Sequence, residues 1–337
     1  MSKVLRWGIV GCGDISHDFV RAMNHSQRPN KVIAVAASKK ERAEAFRGKT
    51  NLSNDVKAYG SYDELFADKE VDVVYIGVVN NLHIDVSLKA VKAGKAVLCE
   101  KPIGANVKET KKLFDAAEQA KVFLMEATWS RFFPAYQRLR QIINDKSLGK
   151  VKTASVLFAG KLPANRFCVE LNQTPINDIG SYAVQFALFA FGERPEKVVF
   201  DGGKREDGCD LWGTFNLHFS GGRFAVVSYS SDDYGPSNGV VTFDDGYVEF
   251  PKQFWSPDTL KLVKGTNEPV LEKFPLPEYE GYNYGNSAGL SYEADHVYDT
   301  IAAGKTQSDI HSHDESLKTL EILDEARRVL GVKYTVD

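Results

Sequence analysis

A chain of 337 residues with 42 Lys and Arg against 45 Asp and Glu has room for two domains of ordinary size, and its formal net charge of −3 offers no overall basic surface for nucleic acid. At 43% hydrophobic and 26% charged residues the composition is globular; no window approaches the roughly 18 apolar residues of a membrane span, and the N-terminal apolar run, broken by Arg6, is too short and polar for a signal segment. The charge balance favours a small-molecule partner, and the four cysteines, Cys12, Cys99, Cys168 and Cys209, scattered without a Cys-x-x-Cys pair, point to reduced, buried thiols in the cytosol.

In chain order, "LRWGIVGCGDISHDFVRAMN" reads as a buried strand, a glycine turn and a helix with Phe19, Val20 and Met23 at helical spacing. After Gly8, residues Gly11 to Ser16 spell G-x-G-x-x-S, with Cys12, Gly13, Asp14 and Ile15 inside the turn. A strand before and a helix after are the context a dinucleotide site requires, because glycines let the backbone approach a pyrophosphate whose charge meets unpaired N–H groups. The alternative is a plain tight turn. The strand "KVIAVAAS" ends at Ser38, Lys39 and Lys40, with none of the acid that holds the ribose hydroxyls of NAD. A hydroxyl and two cations suit a 2′-phosphate, so NADP is expected; otherwise the lysines are the solvated first turn of "KKERAEAFRGK".

A third strand, "VDVVYIGVVN", leads to Asn80, Asn81 and His83 ahead of the helix "HIDVSLKAVKAG", which Gly94 closes. Asn80 is there as a helix cap or a cofactor contact, and a histidine such as His83 is by itself more often structural. The strand "KAVLCE" stops at Pro102, which has no N–H, so Glu100 and Lys101 stand at a strand's carboxyl end. The helix "NVKETKKLFDAAEQAK" and the strand "VFLMEA" complete an alternation that predicts a doubly wound parallel Rossmann domain over residues 1–126.

From residue 127 the alternation stops. Trp129 and Arg131 sit at a strand-to-helix turn before Pro134, and "KVKTASVLFAG", "KVVFDGG", "LWGTFNLHFS", "GRFAVVSYSS", "GVVTFDDG" and "GYVEF" read as successive strands. An α+β domain over 127–337, with a large, mostly antiparallel open sheet, is the expectation. Its helix "NDIGSYAVQFALFAFG" carries Asp178 and Tyr182 four apart, on one face near the N-terminal end. Taken alone, the pair could equally be a cap and a packing residue. The stretch from Pro275 to Asn286 looks like a Pro-rich surface loop. His311 and His313 are the only close histidine pair, no cysteine joins them, and no G-x-S-x-G elbow occurs, so neither metal nor serine chemistry finds support.

The glycine turn, N-x-x-H after the third strand and E-K-P after the fourth together resemble the glucose-fructose oxidoreductase, inositol dehydrogenase and MocA family, over essentially the whole chain. "AVLCEKPIGAN", "LMEATWSRFFPA", "NDIGSYAVQF" and "AGLSYEADHV" are most similar to its dimeric dihydrodiol dehydrogenase subgroup, which also oxidises D-xylose with NADP. The resemblance implies a dinucleotide site formed by Gly11, Cys12, Gly13, Asp14, Ile15, Ser38, Lys39, Asn80, His83, Glu100, Lys101, Trp129 and Arg131. It implies catalysis by Tyr182 as general acid/base, with Lys101 lowering its pKa and Asp178 orienting substrate or the ammonium, because a free tyrosine titrates near ~10. Lys101, Trp129, Asp178, Tyr182 and Tyr284 would meet the substrate, and the C-terminal sheet would form a homodimer. Trp129 and Arg131 could instead be interface packing. The implied function is NADP-dependent hydride transfer at a CH–OH carbon of a trans-dihydrodiol or sugar, with no metal, no nucleic acid and no membrane. The alternatives are another sugar or inositol dehydrogenase, or a non-catalytic NADP or sugar sensor on the same fold.

Overall fold

The computed structural model describes residues 4–277 and 280–337; the remaining residues of the Pro-rich stretch, 278 and 279, lie outside the described ones. The chain divides into two compact units: Met1–Gly104, Lys108–Phe132 and Leu276–His313 make one, and Ala105–Val107, Phe133–Pro275 and Asp314–Asp337 the other.

The first unit alternates β1 (Leu5–Val10), α1 (Asp14–Ala22), β2 (Asn30–Ala36), α2 (Lys40–Lys49), β3 (Lys57–Tyr59), α3 (Tyr62–Ala67), β4 (Val73–Ile76), α4 (His83–Lys92), β5 (Ala96–Glu100), α5 (Val107–Ala120) and β6 (Leu124–Ala127). The strands pair in the order β3-β2-β1-β4-β5-β6, every neighbour parallel. Helices on both faces bury the central strands on both sides, which is why "VVYI" and "AVLCE" are runs without polar alternation. The order reverses between β1 and β4, so their carboxyl ends form the crevice where open α/β sheets hold ligands.

The second unit begins with α6 (Pro134–Asp145), whose first residue is a proline with no N–H to lose, and β7 (Val151–Ala159). A five-residue π-turn, Ile176–Gly180, runs into α7 (Ser181–Phe191). There follow β8 (Lys197–Lys204), β9 (Asp210–Phe219), β10 (Arg223–Ser230), β11 (Gly239–Phe243), β12 (Gly246–Phe250), β13 (Thr259–Lys264) and β14 (Val270–Lys273). The sheet order is β14-β13-β12-β11-β7-β10-β9-β8, antiparallel throughout except for the parallel pair β7 and β10. One face carries Phe215, Leu217, Phe219, Ala225, Val227 and Tyr229, all buried. Against β7 and β10 lies α7, buried at every residue from Ser181 to Ala190, as its lack of a polar stripe requires.

Two helices close the chain: α8 (Leu290–Ala302), which packs on α1 in the first unit, and α9 (His313–Leu330), which from Asp314 onward belongs to the second. Strands β3, β13 and β14 and helix α3 were not read from the sequence; each is short, and β14 is largely exposed.

Candidate active site

The glycine turn is built for close approach. Gly11 has φ +94°, and a Cβ there would stand 2.5 Å from the Gly77 carbonyl oxygen, so both conformation and space demand glycine. Gly77 is equally confined, its Cβ falling 2.3 Å from Ser16 Oγ. Gly13 is the N-cap of α1 and brings no side-chain acceptor to the first-turn amides, while a Cβ on it would meet nothing nearer than 3.9 Å. Confined at Gly11 and open at Gly13, where α1 starts without a side-chain cap, the turn fits the pyrophosphate of a dinucleotide. Ser16 closes this motif by a hydroxyl contact to Gly77 O at 3.5 Å. Cys12 Sγ lies 3.6 Å from Ala36 O, and burial pushes its thiol up to about 11, which keeps it protonated beside the turn.

Ser38, Lys39 and Lys40 are exposed at the carboxyl end of β2. Arg42, absent from the sequence reading, donates from Nη1 to Ser38 Oγ at 3.2 Å and adds a third cation to the group. Its signal was the four-residue spacing from Ser38 across the start of α2.

At the end of β5 the Lys101–Pro102 peptide is cis. Glu100 is buried: it accepts the Tyr75 hydroxyl at 2.5 Å and the Lys101 backbone N–H at 3.2 Å. Glu293 on α8 is fully buried too, and desolvation together with the charge of Glu100 raises its carboxyl well above the usual range. His83 Nδ1 is 2.8 Å from Pro102 O and Nε2 is 3.0 Å from Val78 O. Burial lowers its pKa, so a neutral ring donates to one carbonyl at a time and ties the loop after β4 to the loop after β5. Ile103 N–H donates to Glu126 Oε1 at 2.9 Å, and the second oxygen of Glu126 meets buried His311 Nε2 at 3.1 Å. His313 bonds Leu124 O at 2.9 Å and stacks on Phe114 at 4.0 Å. The histidine pair is therefore structural, and among the described residues no group of three or more His, Cys, Asp or Glu could hold a metal.

Asn80 opens a short 3-10 turn, and neither that turn nor α4 has a side-chain cap at its N-terminus. Trp129 and Arg131 lie in the 3-10 turn Trp129–Phe132 directly after β6, both buried.

In the second unit, Asp178 lies on the π-turn and Tyr182 on the first turn of α7. Arg166 Nε is 3.7 Å from Asp178 Oδ2. The Tyr182 ring is 6.0 Å from Phe158 and 6.5 Å from Trp255, which stack on each other at 4.0 Å. Sequence reading missed Arg166, Phe158 and Trp255, since their meeting depends on strand pairing across distant segments. The π-turn is anchored where Ile176 N–H donates to Asp210 Oδ2 at 2.7 Å, and Gly180 admits the Tyr229 ring, 3.1 Å from where a Cβ would be. Desolvation pushes the Asp210 carboxyl up to about 6, against hydroxyl and amide donors that pull it down. Tyr284 falls in the first unit, where its backbone N–H donates to Asp18 Oδ2 at 3.0 Å.

Residues 5–128 match the oxidoreductase family with an NAD-binding Rossmann fold, and residues 136–249 match the GFO/IDH/MocA C-terminal domain. The chain is 38% identical to trans-1,2-dihydrobenzene-1,2-diol dehydrogenase of Danio rerio, across 99% of both chains. The chain belongs to the GFO/IDH/MocA family. The Homo sapiens relative of the same name is 37% identical over 99% of both chains. Among solved structures, the aldose-aldose oxidoreductase from Caulobacter crescentus superposes with a TM-score of 0.85 at 21% identity, covering 98% of each chain, a likeness of fold. This GFO/IDH/MocA member is thus an oxidoreductase with a nicotinamide-dinucleotide-binding fold, and none of its described helices is long and apolar enough to cross a membrane.

Proposed function

We propose that this chain is an NADP-dependent dehydrogenase that oxidises a CH–OH carbon of a trans-dihydrodiol or of a cyclic sugar such as D-xylose, and that it works as a homodimer in the cytosol. The observation that carries the reading is full-length identity of 37–38% to relatives named for the diol reaction. The cytosolic part draws support from four free thiols, and NADP over NAD from the cations Lys39 and Arg42 beside Ser38 and from a strand end, Ser38 to Lys40, that carries no acid.

In this reading the bound nicotinamide supplies the hydride acceptor, and the protein supplies position and proton transfer. The first-turn amides of α1 at Gly13, Asp14 and Ile15, with Gly11 and Cys12 beneath, hold the phosphates. Asn80, His83, Glu100, Trp129 and Arg131 shape the rest of the dinucleotide site, His83 and Glu100 by fixing the loops that carry Lys101. The Lys101 ammonium stabilises the substrate oxygen as it gains negative charge and favours the phenolate form of Tyr182. Tyr182 takes the substrate hydroxyl proton on Oη, and Asp178 orients the substrate or the ammonium. Trp129 and Tyr284 act as apolar walls for the ring being oxidised.

The test is nicotinamide reduction with NADP or NAD and a trans-dihydrodiol or D-xylose, comparing wild type with Tyr182→Phe. The reading expects NADP-selective turnover that falls by at least about a hundredfold in the variant, the usual scale of a lost acid/base group. NADP binding without turnover in wild type would point to a sensor, and robust turnover by Tyr182→Phe would remove the tyrosine from the mechanism.

A further inference from the structure

Asp18 is a buried charge that the glycine turn does not explain. It lies on the second turn of α1, and its carboxylate faces chain 265 residues further on. Asn283 N–H donates to both oxygens, at 2.9 and 3.0 Å, and Asn283 Nδ2 donates to Oδ1 at 2.7 Å. Tyr284 N–H and Ser287 Oγ donate to Oδ2 at 3.0 and 2.7 Å. Only His17, at 3.1 Å, comes from the carboxylate's own helix. The same strap is fastened on either side of Asp18. Asn283 Nδ2 also reaches Asp14 O at 3.2 Å, at the very start of α1. Arg21 Nη2 donates to Glu280 O at 3.2 Å, and the guanidinium lies 5.7 Å from the centre of the Tyr282 ring.

The backbone amides of Asn283 and Tyr284 and the side chains of Asn283 and Ser287 hold the strap, while the Tyr284 side chain makes none of these bonds to Asp18. Tyr284 remains 37% exposed although its amide is held. A buried carboxylate taking this many donors is a strong, directional anchor, and removing its charge leaves several buried N–H and O–H groups short of an acceptor. The anchor is spent on a loop rather than on a core element, next to the first turn of α1 that fits a dinucleotide's phosphates. We infer that Asp18 is a positioning residue for the coenzyme: it locks residues 280–287 against α1, so that this strap stands as a preformed wall beside the turn that takes the dinucleotide's phosphates.

Preforming the wall removes an ordering cost that coenzyme binding would otherwise meet, so loosening it should show as weaker affinity. The inference rests on the reading of the chain as a dinucleotide-dependent enzyme. Its test therefore has one readout that needs no turnover and one that needs no ligand. Asp18→Asn and Ser287→Ala are compared with wild type for NADPH affinity by fluorescence titration and for amide hydrogen exchange over residues 281–287. Asp18→Asn is expected to raise the NADPH Kd about tenfold and Ser287→Ala about threefold. Exchange should quicken over the strap in both, stay unchanged in β4 and β5, and slow again when NADPH saturates the variants. If Asp18→Asn does not fold, Asn283→Ala takes its place, since it removes one donor and keeps the charge. Equal NADPH affinity in wild type and variants overturns the inference alone, as does weaker affinity with unchanged strap exchange. A wild type that binds no dinucleotide overturns it together with the enzyme reading.

Discussion

At the scale of single residues, coenzyme choice rests on how few charges meet one phosphate. Lys39 and Arg42 are exposed, and Arg42 is already oriented by Ser38 at 3.2 Å, so its guanidinium needs little reordering to accept a second anionic partner. An exposed cation is screened, and its loss should cost affinity modestly. Arg42→Ala is expected to raise the NADP Kd roughly fivefold to tenfold at low salt, with the gap narrowing as salt rises. The NAD Kd should stay within about twofold, because NAD has no 2′-phosphate to lose. Calorimetric titration of both dinucleotides at two salt concentrations checks this, and equal losses for NADP and NAD would assign Arg42 to the ribose or to the fold instead. Sequence alone exposed Ser38, Lys39 and the glycines because each signal is local: a turn, a strand end, a helix start. Arg42 escaped that reading because, as the third residue of a charged helix, it looks like every other solvated cation there.

Among elements, the π-turn decides how Asp178 and Tyr182 are presented. A helical turn widened by one residue leaves backbone groups without their usual partners and survives only where the surroundings support it. Here the support is Asp210, whose carboxylate receives Ile176 N–H at 2.7 Å and faces the hydroxyls of Tyr229 and Thr174. Burial raises this carboxyl from 3.8 to about 6. A folded pKa above the unfolded one means the folded state holds a proton that the unfolded state has released between those two values. Stability from this group is then fully present below about pH 4 and is lost as pH rises through about 6, by roughly 3 kcal/mol at the plateau. Asn keeps an acceptor for Ile176 and cannot ionise. Asp210→Asn should therefore gain on wild type as pH rises from 4 to 7, seen as a growing difference in Tm. Parallel Tm profiles would show that Asp210 does not titrate in that window.

The four-residue spacing of Asp178 and Tyr182 led the sequence reading to expect one shared helical face. The π-turn was not legible, because a 3.6-residue pattern of apolar positions reads the same through a local widening. Likewise β13 and β14 hide in a stretch whose lysines and glutamates mask the strand alternation, and the return of residues 276–313 to the first unit leaves no local trace at all.

For the whole molecule the open question is what covers the second sheet. Its inner face is taken by α7, while the outer face keeps Val199, Trp212, Phe224 and Val226 between 37% and 45% exposed. These four share one side: Val199 and Val226 both sit opposite Asn216, Phe224 opposite His218, and Trp212 lies four residues before Asn216 at the same strand parity. Interspersed Thr214, Asn216 and Ser228, with Thr214 and Ser228 bonded at 2.7 Å, make the face mixed rather than oily. A face of that composition suits a standard interface of about 800 Å² per partner. The proposed homodimer would use it, and sheet-to-sheet packing would shield the apolar residues from water at about 25 cal/mol per Å². Phe224→Glu combined with Val226→Glu sets like charges against their copies without touching α7 or the strand hydrogen bonds. The double variant should run at one chain's mass of 37.4 kDa by light scattering where wild type runs at about twice that, with an unchanged circular dichroism spectrum. A wild type already at one chain's mass would remove the homodimer from the reading. A variant that stays paired would move the interface off this face, and the four exposed hydrophobics would then need no partner beyond the scattered apolar surface that any soluble fold carries.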